Sequence, residues 1–426
     1  MGDNMTKQKV TVLGAGMVGV CTALELQRRG VQITLVDKTD PGQETSYGNA
    51  GVLARSSLIP INNPSLWSNL PSLIGNKSTS LRYDPMFMVR NTAWVTQFLA
   101  NARASQCAQT ASALNSLIRL SIDSHLAMMR ELGLQDHLSD QGWMFLYRNE
   151  RGFASAGANR DLMGHHGVPL EVLEPDAISD LEPGLNPIFH KAVWIKDSYS
   201  VDNPGAIVAA YARAFVNAGG HIQKAEATGM VEADDGVTLT LSDGTALHSD
   251  KIAVCAGPWA KPFLSKAGYR VRMAFERGYH RHFTGHSAVT NTIGLNRPIC
   301  DTSGGYVLAP MQAGLRLTSG VEMADHAAPK NMCQIEQAEH TARQAFDLGN
   351  RTDDQTWLGS RPTFPDSRPS IGMAPGSRRV ALGIGHQHIG FMTGSGTGKM
   401  LADILTGQPC AIDATPFKPE RYIRRV

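Results

Sequence analysis

Residues 9–37 read KVTVLGAGMVGVCTALELQRRGVQITLVD, and the reading of this stretch decides the fold. Val10, Val12 and Leu13 make an apolar strand that runs into Gly14, Gly16 and Gly19. A helix is predicted next, with Val18, Thr22, Leu24 and Leu26 as packing positions. A second apolar strand, Val31, Ile33, Leu35 and Val36, then ends on the carboxylate of Asp37. Glycines alone are weak evidence, because they also occupy ordinary turns. Strand, glycine turn, helix, strand and terminal acid in this order form the βαβ unit that binds a dinucleotide. Gly14 permits the tight turn, Gly16 lets backbone approach a pyrophosphate, and Gly19 lets helix and strand pack closely. The helix start offers unpaired N–H groups to the phosphates. Asp37 can accept from both ribose hydroxyls, which favours a ribose without a 2′-phosphate. The pattern does not separate FAD from NAD.

At 426 residues the chain exceeds one ordinary core, so two domains are expected. With 42% hydrophobic and 18% charged residues and 42 glycines, the composition is that of a turn-rich globular enzyme. A net charge of +2 with dispersed positives gives no basic footprint, so no nucleic-acid partner is expected. Cys21, Cys107, Cys255, Cys300, Cys333 and Cys410 form neither a CxxC pair nor a cluster at zinc spacing. Free thiols, a reducing compartment and no metal site are therefore expected. The N-terminal MGDNMTKQK lacks the apolar segment of a secretory signal, and no run approaches the ~18 apolar residues that span a bilayer. The expectation is a cytoplasmic protein, with peripheral attachment to the inner face of the membrane left open.

Residues 40–53, DPGQETSYGNAGVL, are small and polar and read as a loop lying against a ligand. Residues 56–85 are broken by Pro60, Pro64, Pro71 and Pro85. Two amphipathic helices follow, one through Trp94, Val95, Phe98, Leu99 and Ala102, the other through Leu114, Leu117, Ile118, Ile122, Leu126 and Met129. His125 lies on the apolar side of the second and reads as a core histidine. A strand is expected at 141–148, turns at 169–184, a helix at 204–217 and strands at 229–232 and 237–241, with hairpin signals at 234–236 and 242–244. The strand 251–255 leads into Ala256-Gly257-Pro258-Trp259. Residues 269–325 predict an antiparallel sheet, and 334–348 a polar helix. Strand 380–384 then leads through GHQHIGFMTGSGTG into a helix at 399–405. The glycines and small residues of 385–398 form a second place where backbone amides could face a ligand. TGSGTGKM fails as a phosphate loop, because Thr393 stands where the pattern needs glycine and Met400 where it needs Ser or Thr.

Six segments in order, VLGAGMVGV with Asp37, ETSYGNAG (44–51), AGPW (256–259), ERGYH (276–280), SRPTFPDSRPSIG (360–372) and GHQHIGFMTGSGTGKMLADILTG (385–407), resemble the FAD-dependent D-amino acid oxidase superfamily in its bacterial D-amino acid dehydrogenase branch. The resemblance covers nearly the whole chain. It implies an α/β fold: a discontinuous Rossmann-like FAD-binding domain (1–55, 201–260, 351–426), and a helical and substrate domain (56–200, 261–350) whose antiparallel sheet roofs the flavin.

What the resemblance implies for the site falls on four segments. Gly14, Ala15, Gly16, Met17, Val18, Gly19, Asp37 and Lys38 would hold the dinucleotide, with Thr45, Ser46, Asn49, Ala50, Gly51 and Val52 from the following loop. Ala256, Gly257 and Trp259 would join them, as would Gly385, Ile389, Gly390, Phe391 and Met392 of the C-terminal segment, where a helix start could stabilise charge on the reduced flavin. Arg361 matches the arginine that clamps the substrate carboxylate, a task suited to a planar fork. Tyr279 and Tyr306 would face the flavin from the substrate sheet. Of His386 and His388, which flank the turn, His388 is expected to face substrate.

The activity implied is hydride transfer from the Cα of a D-amino acid to non-covalent FAD, in amino acid catabolism. ERGYH with PDSRPSIG is most similar to members acting on D-hydroxyproline, so a neutral or cyclic substrate such as cis-4-hydroxy-D-proline or D-proline is favoured. The electron acceptor is left open between O2, a quinone and an electron carrier. The alternatives are a sarcosine- or glycine-type amine oxidase, an FAD-binding electron-relay subunit of a hetero-oligomer, and an NAD-dependent dehydrogenase.

Overall fold

Strand Lys9–Leu13 is buried from Val10 onward because parallel strands run on both sides of it: Gln32–Asp37 and Lys251–Val254. Near-continuous apolar runs are what a sheet covered on both faces requires. The computed structural model describes residues 7–67, 75–76, 78–285 and 294–426. Its first sheet has the order His221–Lys224, Gln32–Asp37, Lys9–Leu13, Lys251–Val254, Val380–Ile384, Ser370–Met373, parallel except at the last pair. Helix Met17–Arg28 follows the first strand, and Val20, Cys21, Leu24 and Leu26 are buried.

The C-terminal helix departs from expectation. It spans Gly390–Thr406 and starts nine residues before the predicted Lys399, through the glycine-rich run read as a loop. Glycine weakens an isolated helix by about 1 kcal/mol per residue. Here the missing side chains are what let the helix close on its neighbours. A Cβ on Gly394 would stand 2.5 Å from Met17 Cγ, and one on Gly398 2.6 Å from the backbone of Cys21. A Cβ on Gly396 would collide with Ser121 Oγ of the long helix Ala104–Glu131. In that long helix His125 is a core residue, within 3.2 Å of the Tyr211 hydroxyl through Nδ1 and 3.1 Å of the Phe391 carbonyl through Nε2.

The second sheet has ten strands among the described residues. Its path runs Leu81–Tyr83, Val321–Met323, Ala274–Phe283, Gly314–Ser319, Tyr306–Met311, Ile299–Asp301, Trp143–Tyr147, Lys191–Ile195, Leu170–Leu173, with Trp357–Thr363 along Ala274–His280. It is antiparallel except at two pairs, Ile299–Asp301 with Met144–Leu146 and Val321–Met323 with Leu81–Tyr83. The stretch 169–184, read as turns, supplies strand Leu170–Leu173 and helix Pro175–Leu181. Side chains alternate between the two faces. Met144, Leu146, Tyr279, Phe283, Tyr306 and Leu308 pack beneath helix Cys333–Ala345. Trp143, Phe145, Tyr147, Val307 and Thr318 turn the other way, toward the first sheet. Of the prolines in 56–85, Pro71 lies outside the described residues. No helix among the described residues is long and apolar enough to cross a membrane.

Candidate active site

The ends of the parallel strands and the free face of the ten-stranded sheet enclose a cavity of about 700 Å³. On the parallel-sheet side its wall is Gly14, Gly16, Met17, Val18 and Asp37, the loop from Glu44 to Val52, Ala256–Trp259 and His386–Met392. Gly14 has φ +108°, and a Cβ there would stand 2.5 Å from the Cys255 carbonyl oxygen, so the turn admits no side chain. Asp37 Oδ2 accepts from the Ala15 amide (2.5 Å) and Oδ1 from the Thr39 amide (3.0 Å). A smaller cavity of about 200 Å³, lined by Asp37, Lys38, Ala225–Thr228 and Trp259, continues from this end. Lys38 Nζ lies 3.9 Å above the Trp259 ring there.

Two helix starts, Met17–Arg28 and Gly390–Thr406, line the larger cavity. Neither has a side-chain cap, and neither carries an acid in its first turn. Each therefore presents amides, apart from Met17 N, and the positive end of its dipole. The loop between them is held from several directions. Ser46 Oγ accepts from Met17 N (3.1 Å), Asn49 Nδ2 donates to the His388 carbonyl (3.3 Å), and Arg316 donates to the carbonyls of Tyr47 (3.0 Å) and Asn49 (2.5 Å).

Arg361 enters from the sheet. It belongs to strand Trp357–Thr363, and its guanidinium lies across Gly278 of the neighbouring strand, where a Cβ would stand 2.6 Å from Cζ. Burial lowers its pKa while Glu276 pulls it back up, and it carries the only positive charge among the described residues lining the larger cavity. Arg316 is spent on the 47–49 loop and on His282 Nε2 (3.0 Å). Arg277 is fully buried on the far face, donating to the Pro329 carbonyl (2.9 Å). His388 lines the cavity with Nδ1 unpartnered, and burial beside Arg361 lowers its pKa to about 4, so the ring is neutral. His386, held 3.0 Å from Thr397 Oγ1, is lowered to about 3 by burial.

Most of the residues singled out from sequence converge on these two cavities. Ala15, Gly19, Gly51 and Gly385 stand one layer behind the wall, against the Asp37 carboxylate, the Gly14 carbonyl, the Val201 carbonyl and the Phe364 ring. Tyr279 and Tyr306 correct the expectation of a tyrosine roof. Both are 1% exposed on the helix-covered face; Tyr279 donates to Glu322 Oε2 (2.7 Å) and accepts from Asn331 N (2.9 Å). The cause is strand parity: in ERGYH the cavity face belongs to Glu276, Gly278 and His280, one residue out of phase with Tyr279. The aromatic residues that this sheet does turn into the cavity are Trp143, Phe145, Tyr147 and Trp357. The alternation in QGWMFLYR could have disclosed three of them, because Trp, Phe and Tyr alternate there with Met and Leu.

The donor set fits FAD: two helix starts with no acid in their first turns, an acid at the end of the second strand, and a cavity joining them. Fold and site thus define a dinucleotide-binding protein with a second sheet closed over the cavity. The chain matches the FAD dependent oxidoreductase family over residues 9–404 and belongs to it, and FAD is its cofactor. A D-amino-acid oxidase of Bradyrhizobium diazoefficiens is 28% identical over 421 residues, 97% of this chain and 99% of that one. A D-amino acid dehydrogenase of Rhizorhabdus wittichii is 25% identical over 432 residues, 97% of this chain and all of that one (100%). The crystal structure of glycine oxidase from Geobacillus kaustophilus shares the fold, with a TM-score of 0.74 at 20% identity, over 98% of this chain and 100% of that one.

Proposed function

We propose that this flavoenzyme oxidises a neutral D-amino acid, with a compact or cyclic side chain such as that of D-proline or cis-4-hydroxy-D-proline. The observation that carries the reading is Arg361: a single cavity-facing guanidinium, without a hydrogen-bond partner among the described residues, beside a wall of Trp357 and neutral histidines. A planar fork receives a carboxylate bidentately, and fixing the carboxylate fixes where the Cα–H bond points. The D hand is supported by the names of the curated relatives. The neutral side chain is supported by a lining whose only acids among the described residues, Asp37 and Glu44, lie on the dinucleotide side.

In this reading Arg361 binds the carboxylate and the neutral His388 ring lines the subsite beside it. Trp357, packed on His280 with ring centroids 4.8 Å apart, limits the side chain. FAD supplies the acceptor for the Cα hydride. A primary amine leaves as an imine that water converts to a 2-oxo acid and ammonia, and a cyclic secondary amine leaves as a cyclic imine. Cys255, the one cysteine among the described residues lining the cavity, sits at the Gly14 turn with its thiol pKa raised to about 12 by burial, which supports non-covalent FAD. Denatured protein should release free flavin into solution. The test is anaerobic bleaching of the yellow protein by cis-4-hydroxy-D-proline, D-proline, D-alanine, D-arginine, sarcosine and L-proline. Faster bleaching by L-proline or sarcosine refutes the stereochemical reading, and a preference for D-arginine refutes the neutral side-chain subsite. Oxygen uptake during turnover then separates an oxidase from a dehydrogenase that needs a quinone or carrier.

A further inference from the structure

Glu276 stands directly opposite Arg361 in the antiparallel pair of Ala274–His280 with Trp357–Thr363. It is 1% exposed and absent from the cavity lining, so it lies behind the guanidinium and not beside the substrate. Its Oε1 accepts from Thr363 Oγ1 at 2.7 Å, and its Oε2 has no partner. The other elements packed around it bring no charge. Met323 is its partner on the opposite side, and Trp94 and Phe98 of helix Thr92–Ala100 fill the cluster next to Met323 and Ala274. Arg277 and Glu322 project from the opposite face, toward Pro329 and Tyr279. His388 faces Arg361 from the turn Gln387–Ile389 and is neutral.

We propose that Glu276 is the counter-ion of Arg361 in the free enzyme and takes up one proton when a carboxylate binds to Arg361. The proposal rests on Arg361 as the carboxylate clamp. A substrate carboxylate brings a second anion to one buried cation, and two carboxylates sharing such a place do not both stay ionised. The substrate, which makes the bidentate contact, keeps its charge. The proton goes from solvent to Glu276, whose Oε2 is free to receive it, and no electrons move. Burial already raises the Glu276 carboxyl to about 7, against the pull of Thr363 and Arg361, so the group is poised where a second anion tips it. Glu276 is then a positioning residue, which spares Arg361 from standing as an uncompensated buried charge between turnovers.

Titration calorimetry of the FAD-loaded protein with benzoate, a carboxylate that cannot be oxidised here, tests this at pH 8 in two buffers of different ionisation enthalpy. The wild type should take up more than half a proton per benzoate, with affinity falling several-fold between pH 7 and 9. Glu276→Gln, which keeps an acceptor for Thr363, should bind benzoate with no proton uptake and no pH dependence over that range. No uptake in the wild type, with Arg361→Ala abolishing binding, overturns the proposal and leaves the clamp intact. Uptake that survives in Glu276→Gln assigns the proton elsewhere and also overturns it. Undiminished benzoate affinity in Arg361→Ala removes the clamp itself.

Discussion

Gly278→Ala tests the placement of Arg361 without touching its charge. A Cβ at 278 would stand 2.6 Å from Arg361 Cζ, and nearer still to Nη2, so the guanidinium must retreat by about 1 Å to reach ordinary contact. A misplacement of that size in a positioning group costs on the order of 10²-fold, about 2.7 kcal/mol of transition-state stabilisation. Gly278 lies within a strand and not in the left-handed region, so alanine itself is compatible with the backbone. The variant should remain yellow and melt within a few degrees of wild type while kcat/KM falls between about 10- and 100-fold by anaerobic bleaching. Arg361→Ala should cost about 2–5 kcal/mol on its own. The double variant should be little worse than Arg361→Ala, because both changes act on one contact. A kcat/KM within twofold of wild type for Gly278→Ala, or the same fold-loss in the Arg361→Ala background, refutes the placement of Arg361 across Gly278.

Three further outcomes follow from other parts of the molecule. Asp37→Ala removes the acceptor at the end of the second strand and should weaken FAD binding by about 1.5–3 kcal/mol, read as flavin lost on dilution and gel filtration; full retention of flavin would count against its role. Tyr279→Phe leaves Glu322 and Asn331 N without the hydroxyl between them and should cost about 1–3 kcal/mol of stability by urea unfolding with kcat/KM unchanged, whereas a catalytic loss would restore the tyrosine roof. His125 has its folded pKa lowered to about 4 by burial, below its unfolded value near 6.5, so the unfolded chain binds the proton first as pH falls. Its contribution is complete above pH 6.5 and lost on descending toward pH 4, on the order of 3 kcal/mol; stability that stayed flat over that window would contradict a neutral buried ring.

The parallel half of the fold was legible because its signals are local. Gly14, Gly16, Gly19 and Asp37 lie within one βαβ unit, and apolar runs at 251–255 and 380–384 read as buried strands. The roof was harder. Which face of Ala274–Phe283 meets the cavity depends on pairing with residues 357–363, some 80 positions along, and one residue of phase exchanges Tyr279 for Gly278 or His280. Trp143, Phe145 and Tyr147 were recognisable as a strand but not as a wall, because the opposite face was settled by helix Cys333–Ala345. The helix through Gly394, Gly396 and Gly398 was misread for a related reason. Local propensity argues for a loop, and only the surfaces of Met17–Cys21 and Ser121 explain why glycine is the residue that fits.

That glycine-faced helix also sets an order of events during synthesis. The helix start at Met17 is made long before the surface that closes against Met17 and Cys21, which is residues 394–398. Until then the nascent chain carries an apolar helix without its partner and a flavin cradle with one of its two amide ends missing. The complete flavin cradle therefore forms only after residues 394–398 have been made, and the apolar face at Met17 and Cys21 stays uncovered until then.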